Sequence, residues 1–178
     1  MLSEGGIFMF FLSNNSSNRE TILEIVKKDG CALGCVNKSF RNDREIALEA
    51  VKQNSFAFWY VDALLKEDRG FVLDAVRQNG SVLYYAGGQF QKDKEIVLEA
   101  MKQEGFAFYR LKKYDEAIKY YDRALKIDSS DAITWKNKGN ALRCLKRYDE
   151  AKECYDEAKE CDDRALKIDS NEANSKKL

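Results

Sequence analysis

The stretch DKEIVLEAMKQEGFAFY, from Asp93 to Tyr109, belongs to two sequence repeats of different length. Upstream, its first part recurs with a 25-residue period, and downstream its second part begins a pattern with a 34-residue period. Fixed periods of this size are typical of proteins in which each helical unit buries its apolar face against the next unit. The sequence therefore predicts an all-α fold of helical hairpins stacked as a short α-solenoid.

Four copies of the shorter unit follow one another without a gap. DREIALEAVKQNSFAF begins at Asp43 and DKEIVLEAMKQEGFAF begins at Asp93, and the two share 11 identities in 16 positions. Weaker copies begin at Asn18 and Asp68, so the four starts are evenly spaced and define a 25-residue unit. Each copy starts with Asp or Asn, which caps a helix by accepting free backbone N–H groups. We expect one helix to begin after each of these residues and a second, shorter helix to follow it.

Apolar residues recur in each unit at positions i, i+1 and i+4, which lie on one face of the first helix. Asp29-Gly30, Asn54-Ser55 and Asn79-Gly80 follow, and we expect a left-handed residue there to end the helix. The predicted core positions of the first helices are Ile22, Leu23, Val26, Ala47, Leu48, Val51, Val72, Leu73, Val76, Val97, Leu98 and Met101. Those of the second helices are Leu33, Val36, Phe58, Val61, Leu83 and Ala86.

The strings NDREIALEAVKQN (Asn42 to Asn54) and KDKEIVLEAMKQEG (Lys92 to Gly105) resemble the repeats of domain of unknown function 4116. The resemblance covers about Asn18 to Phe108 and implies helical repeats without an assigned activity. In the same register, Gly5 to Leu12 aligns with a second helix. We therefore expect residues 1–17 to form a partial leading repeat and loop that caps the array, and residues 18–97 to form the 25-residue repeats.

The strings YDEAIKYYDRALKIDS (Tyr114 to Ser129) and WKNKGNALRCLKRYDEAKECYDEA (Trp135 to Ala158) resemble tetratricopeptide repeats. Small residues in this pattern let one helix approach the next, while aromatic residues fill the space between them. Serine stands where the family usually has a helix-stopping proline. Residues 98–169 are expected to form this array, which shares the helix 93–109 with the shorter repeats. The signature positions are Trp135, Gly139, Ala141, Tyr148, Ala151, Tyr155 and Ala158, with Gly105, Tyr114, Ala117, Tyr121 and Ala124 in the preceding repeat.

Gly105 has a different role in each of the two repeat registers. In the 25-residue register it aligns with a turn, and in the 34-residue register it aligns with Gly139 inside a helix. We favour a continuous helix, because no other segment can pair with the helix predicted from Tyr114. A glycine inside a helix costs up to about 1 kcal/mol, which packing must offset.

The heptapeptide YDEAKEC occurs twice in tandem near the C-terminus, from Tyr148 to Cys161. Each copy makes almost two helical turns, so the duplication predicts a long C-terminal helix that keeps one face. This helix either pairs with another chain, giving self-association, or projects a charged surface into solvent. Residues 170–178 are expected to form a flexible tail. The predicted face consists of Tyr148, Ala151, Tyr155, Ala158 and Ala165.

The composition argues against most enzyme mechanisms. The 178 residues include no histidine, which excludes a Ser-His-Asp triad and every histidine-containing zinc site within this sequence. No carboxylate pair, glycine-rich phosphate loop or metal cluster stands out, so we predict a non-enzymatic protein without cofactor or metal. The apolar segment Ile7 to Leu12 is too short to span a membrane. The odd number of cysteines favours reduced packing thiols and a cytoplasmic location: Cys31, Cys35, Cys144, Cys154 and Cys161.

Two kinds of partner remain after these exclusions. The resemblance to tetratricopeptide repeats implies a surface that holds a peptide or partner helix, and Lys136, Asn137 and Asn140 stand where carboxylate-clamping repeats carry Lys and Asn. The alternative is RNA, through a basic and aromatic patch. The 30 Lys and Arg residues equal the 30 Asp and Glu residues, which argues against RNA. The patch consists of Lys112, Lys113, Lys138, Arg143, Lys146 and Arg147 beside Tyr114 and Trp135.

Overall fold

The computed structural model describes residues 18–175, with side chains described for residues 18–168. Over this range the chain is helical and contains no β-strand, which confirms the prediction of an all-α helical repeat. The leading repeat predicted for residues 1–17 lies outside the described residues. The chain divides into two compact units, unit 1 from Met1 to Gln103 and unit 2 from Glu104 to Leu178.

In unit 1, α-helices alternate with short 3₁₀ helices. The α-helices are α1 (Arg19–Lys28), α2 (Lys38–Arg41), α3 (Arg44–Gln53), α4 (Ala63–Glu67) and α5 (Arg69–Gln78). The 3₁₀ helices are Gly30–Cys35, Ser55–Tyr60, Gly80–Tyr84 and Phe90–Lys92. The boundary between the units falls within α6 (Lys94–Arg110), and unit 2 continues with α7 (Tyr114–Ile127), α8 (Ala132–Cys144) and α9 (Tyr148–Ser175).

The residues predicted to start the helices of the 25-residue repeats do so. Asn18 accepts a hydrogen bond from the Glu20 N–H, and Asp68 accepts one from the Phe71 N–H. Asp43 accepts two backbone N–H bonds through Oδ1 at 3.1 Å, and Asp93 accepts two in the same way at 3.1 and 3.2 Å. Each side chain satisfies N–H groups that a helix leaves free in its first turn.

The ends of these helices differ from the prediction of a left-handed residue. Asp29, Asn54 and Asn79 are extended, with φ of −140°, −149° and −155°. Each side chain accepts the N–H two residues ahead, at 2.9 to 3.2 Å, and so starts the following 3₁₀ helix. Gly30 is required for a different reason, because a Cβ atom there would collide with the carbonyl oxygen of Ala50.

The buried face of the unit 1 helices is wider than the predicted i, i+1, i+4 set. The position before that set is fully buried in three repeats, at Ile46, Phe71 and Ile96. Leu48 and Leu98, which were predicted to be core residues, are only partly buried. The reason is that an inner helix such as α3 contacts both α1 and α5, so its apolar face has to serve two neighbours.

The α-helices of unit 1 are joined by a ladder of exposed ion pairs. Arg19 binds Asp43 at 2.7 Å, Arg69 binds Asp93 at 2.8 Å, and each arginine also binds the glutamate two residues further on. The hydrogen bonds to the arginine hold the pKa of Asp43 below its ordinary value. Exposed pairs of this kind contribute at most about 1 kcal/mol each. The ladder therefore aligns neighbouring repeats more than it stabilises them.

Gly105 lies inside α6, and its role in unit 2 is a close approach to the next helix. A Cβ atom at Gly105 would lie 2.6 Å from Cε1 of Tyr121. One 34-residue period later, a Cβ atom at Gly139 would lie 2.7 Å from Cε1 of Tyr155. The pairs α6/α7 and α8/α9 thus make the same glycine–tyrosine contact.

Among residues 18–175, the left-handed residues lie in unit 2 and not in unit 1. Lys112 after α6 has φ of 59° and Lys146 after α8 has φ of 63°, and the two occupy equivalent positions of the 34-residue period. In both turns the next N–H bonds the carbonyl five residues back, from Lys113 to Phe108 and from Arg147 to Leu142. This is the Schellman arrangement, in which glycine usually takes the left-handed position.

The buried face of α9 also differs from the prediction. Ala151, Cys154, Ala158 and Cys161 are buried, whereas Tyr148 is 63% exposed. Ala165, the other predicted face residue, is exposed as well. Cys154 and Cys161 thus pack inward together with Ala151 and Ala158, whereas the predicted face residues Tyr148 and Ala165 do not. The backbone of residues 170–175 continues the helix, where the sequence suggested a flexible tail.

Candidate functional site

The exposed face of α8 is the candidate binding surface of unit 2. Ile133, Asn137, Asn140 and Cys144 follow one another at intervals of three or four, and Lys136 lies four residues before Asn140, so their side chains share one side of the helix. The opposite side is buried, with Thr134, Ala141 and Leu142 almost inaccessible to solvent. The α8 face consists of Ile133, Lys136, Asn137, Asn140 and Cys144.

Lys136 already holds a carboxylate of its own chain. Its Nζ lies 2.8 Å from Oδ2 of Asp162 on α9, and both side chains are 51% exposed. An ion pair this exposed contributes about 0–1 kcal/mol, so an incoming carboxylate can displace it at small cost. The contact shows that the Lys136 ammonium reaches a carboxylate placed beside the α8 face.

The two predicted asparagines differ in their surroundings. Asn140 is partly buried and accepts a hydrogen bond from the Tyr155 hydroxyl through Oδ1 at 2.9 Å, so its NH₂ group remains available as a donor. Asn137 is partly buried and has no polar partner among the described side chains. The structure thus places all three predicted residues on one face, with an ammonium and two amides able to donate hydrogen bonds.

Several residues of the predicted RNA patch make contacts within the chain. Lys138 binds Asp122 at 2.7 Å and lies 5.2 Å from the Trp135 ring centroid. The Trp135 indole N–H donates to the Ser129 carbonyl at 3.0 Å, and Arg147 binds Glu150. These contacts reduce the positive charge that the patch presents to solvent, while RNA binding itself stays a prediction.

The five cysteines are free, and their environments differ. Cys154 and Cys161 are buried, and burial raises the pKa of the Cys154 thiol. Cys144 is exposed, and its sulfur lies 3.9 Å from the Tyr109 hydroxyl, a hydrogen bond that raises the pKa of this tyrosine. Within residues 18–168, no group of three His, Cys, Asp or Glu side chains is placed to hold a metal ion. None of the described helices has the length and apolarity that crossing a membrane requires.

A second exposed surface, in unit 1, was missed in the sequence. Trp59 and Tyr84 lie in the 3₁₀ helices of consecutive repeats and are 64% and 68% exposed. The signal was present, because the aromatic pairs Trp59-Tyr60 and Tyr84-Tyr85 occupy equivalent positions of consecutive 25-residue repeats. Of the aromatic residues in these segments, only Phe58 was predicted to be a core residue, and the others had no predicted role.

Comparisons with known proteins support two repeat types. The model of the family described as Domain of unknown function (DUF4116) matches residues 18–66 and 68–126. The tetratricopeptide repeat model matches residues 132–164, which contain α8 and the first part of α9. No curated protein matches the chain. The first match includes α6 and α7, so the predicted boundary at residue 98 stays a prediction.

Proposed function

Because the chain belongs to the DUF4116 family and carries a tetratricopeptide repeat at 132–164, we propose that it is a non-catalytic module that binds a partner peptide on the α8 face. A tetratricopeptide repeat is in general a protein–protein interaction module. The observation that carries the proposal is the arrangement of Lys136, Asn137 and Asn140 along one exposed helix face, beside the exposed Ile133.

The chemistry of this face suits a carboxylate next to an apolar side chain. The Lys136 ammonium supplies the charge, and the amides of Asn137 and Asn140 supply donors that bind an anion more strongly than a neutral acceptor. Ile133 lies one turn before Lys136 and is exposed, so it offers apolar area for a neighbouring side chain of the peptide. The C-terminal carboxylate of an extended peptide combines both features.

Peptide arrays with two kinds of C-terminus test this proposal. The full chain is applied to peptides that end in a free carboxylate and to the same peptides ending in an amide. We expect binding to the carboxylate series, and Lys136→Gln should weaken it by about tenfold, because a charge-assisted bond is lost. Lys126→Gln on α7 is the matched control, since Lys126 is an exposed cation outside the α8 face. Equal binding of amidated peptides would contradict the proposal.

The ion pair between Lys136 and Asp162 gives a second test. Asp162→Asn removes the internal carboxylate, and the affinity for the carboxylate series should rise by up to about fivefold, the equivalent of about 1 kcal/mol. Fluorescence anisotropy with one labelled peptide from the array measures the change. A lower affinity would contradict the proposal, because the peptide carboxylate would then gain nothing from the removal of its internal competitor.

The RNA alternative is separated from peptide binding by its dependence on salt. An RNA-binding surface releases counterions, so its affinity falls steeply as the salt concentration rises. We expect only weak binding of a polyuridine oligonucleotide by the full chain. Tight binding with a steep salt dependence, lost on Arg143→Gln, would favour the RNA function instead.

A further inference from the structure

The 3₁₀ helices of unit 1 carry aromatic side chains that remain largely exposed, Trp59 and Tyr84 most of all. The interior of these repeats is filled by other residues, among them Phe58 and Val82, which are almost completely buried. Exposed aromatic side chains in a group are typical of protein interaction surfaces, where Trp and Tyr dominate the binding energy. We call this group the aromatic row; it consists of the exposed Phe56, Trp59, Tyr84 and Tyr85, together with the partly buried Tyr60 that Phe56 contacts.

Contacts within the aromatic row hold it in place before any partner arrives. Phe56 packs edge-on against Tyr60 at 5.9 Å and against Tyr85 of the next repeat at 5.8 Å. Tyr60 in turn lies over Gly34 of the preceding repeat, where a Cβ atom would be 2.8 Å from the ring. Side chains that are already ordered lose little conformational entropy on binding, so Phe56, Tyr60 and Tyr85 form an ordered base from which the more exposed Trp59 and Tyr84 meet a partner.

The charge next to the aromatic row is positive. Lys38 and Arg41 line a shallow cavity together with Trp59 and Tyr60. The Lys38 side chain is 84% exposed, whereas Asp62, the carboxylate 3.7 Å away, is only 8% exposed. Asp62 also accepts the Leu64 backbone N–H at 3.1 Å. The group that solvent meets at this cavity is therefore the Lys38 ammonium.

The arginines of the ion-pair ladder differ from the cations at the aromatic row in the groups that they bind. Arg19, Arg44 and Arg69 each bind a carboxylate of a neighbouring repeat at 2.5 to 2.8 Å. At the aromatic row, the hydrogen bonds that Arg41 and Lys66 donate to described residues go to the carbonyls of Val36 and Trp59, at 3.0 and 2.6 Å. The charged residues that line the cavity are Lys38, Arg41 and the largely buried Asp62, so the cations outnumber the carboxylate and the cavity is complementary to an external carboxylate.

We infer that the aromatic row is an interaction surface for an acidic linear segment of a partner protein. An apolar or aromatic side chain of the segment packs between Trp59 and Tyr84, and flanking Asp or Glu residues pair with Lys38 and Arg41. A protein segment is favoured over nucleic acid because residues 18–103 contain 13 Lys and Arg and 13 Asp and Glu, which gives no general attraction for a polyanion. This surface is independent of the α8 face and goes beyond the function proposed for it.

The two tryptophans of the chain, Trp59 and Trp135, provide a direct test. Nuclear magnetic resonance of the ¹⁵N-labelled full chain gives one indole N–H signal for each, and Trp59→Phe assigns them. The probe is a synthetic Phe-Pro peptide flanked by glutamates, with both ends blocked so that it offers no terminal carboxylate to the α8 face. We expect this peptide to shift the Trp59 signal and to leave the Trp135 signal in place.

A charge-reversed peptide and surface variants complete the test. The same peptide with lysines in place of glutamates should bind at least about tenfold more weakly. By fluorescence anisotropy, Trp59→Ala should weaken the acidic peptide by about tenfold or more, as for a hot-spot residue, and Lys38→Gln by about threefold. Leu111→Ala removes an equally exposed apolar side chain in unit 2 and should change nothing. The inference is overturned if neither peptide shifts Trp59, if both bind equally, or if only a polyuridine oligonucleotide shifts it.

Discussion

The helix pairs α6/α7 and α8/α9 make the same glycine–tyrosine contact, but the hydrogen bonding of the tyrosine hydroxyl differs between them. Gly105 faces Tyr121 and Gly139 faces Tyr155, with the same sequence separation in both pairs. The Tyr155 hydroxyl donates to Asn140 at 2.9 Å, whereas the buried Tyr121 hydroxyl has no hydrogen-bond partner among the described residues. The position equivalent to Asn140 is Phe106, one 34-residue period earlier. The two helix pairs share their packing geometry, but only α8/α9 has the hydrogen bond to the tyrosine hydroxyl.

The glycine contacts predict the largest effects. In an exposed helix Gly→Ala stabilises by up to about 1 kcal/mol, but Gly105→Ala drives a Cβ atom into the buried Tyr121 ring and should cost about 1–3 kcal/mol. Gly139→Ala should cost less, because the partly buried Tyr155 ring can move outward. Urea unfolding measures both. Gly88→Ala is the control, since nothing lies within 4 Å of a Cβ atom there. If Gly105→Ala lowers the free energy of unfolding no more than Gly88→Ala does, the close approach of Gly105 to Tyr121 is refuted.

Supplying the acceptor that Tyr121 lacks should stabilise the protein, and removing the Tyr155 hydroxyl should destabilise it. Phe106→Asn should stabilise the protein by about 0.5–1.5 kcal/mol, because it supplies the buried Tyr121 hydroxyl with a hydrogen-bond acceptor. Tyr155→Phe should destabilise it by a similar amount, as the bond to Asn140 is lost. The double variant Phe106→Asn with Tyr121→Phe is the control, and it should lose the gain. If the gain persists there, it comes from another cause.

Alkaline pH tests the burial of Tyr121 through linkage. Burial raises the pKa of Tyr121 to about 12, above the ordinary value of 10. Between these values the unfolded chain loses a proton that the folded protein keeps, so the free energy of unfolding falls as the pH rises. One such group gives a slope of at most about 1.4 kcal/mol per pH unit, and below pH 10 it gives none. Tyr121→Phe should make the fall in stability between pH 10 and pH 12 shallower, as measured by urea unfolding. If the unaltered protein and Tyr121→Phe lose stability with the same slope between pH 10 and pH 12, Tyr121 does not contribute to this pH dependence.

The two left-handed turns predict the smallest effects. Lys112 and Lys146 adopt φ of 59° and 63°, which a residue with a Cβ atom disfavours. Lys112→Gly and Lys146→Gly should each raise the free energy of unfolding by a few tenths to about 1 kcal/mol. Lys119→Gly, inside α7, is the opposite control and should cost about 1 kcal/mol. Destabilisation by both turn variants would show that the lysine side chains matter more than the backbone.

Local features of the fold were predictable from the sequence. The capping residues Asn18, Asp43, Asp68 and Asp93 start helices as expected, because a side-chain oxygen and a nearby N–H group suffice for a cap. The helix ends were not predicted. An Asx-Gly pair permits a left-handed stop, but it equally permits an extended residue whose side chain caps the next helix. In the folded chain Asp29, Asn54 and Asn79 all take the second form, and at Asp29 the close approach of Gly30 to Ala50 accompanies it.

The candidate site was predictable to a similar extent. The helical period places Lys136, Asn137 and Asn140 on one face without any knowledge of the tertiary structure. Their partners were not predictable, since Asp162 and Tyr155 lie on another helix. The aromatic row was missed because the same residue types fill cores and form surfaces. Burial of Phe58 and exposure of Trp59, adjacent in the sequence, are decided by the direction of each side chain in a 3₁₀ helix.

The sequence by itself determined the repeat lengths, the positions of the helix starts and the all-α class, because these follow from periodicity and from contacts over a few residues. The tertiary structure decided which helix faces are buried, which charges are paired and which aromatic side chains remain exposed. These properties depend on residues brought together from different repeats. The two identical heptapeptides of α9 illustrate the difference: Tyr148 begins the first and is exposed, and Tyr155 begins the second and packs over Gly139.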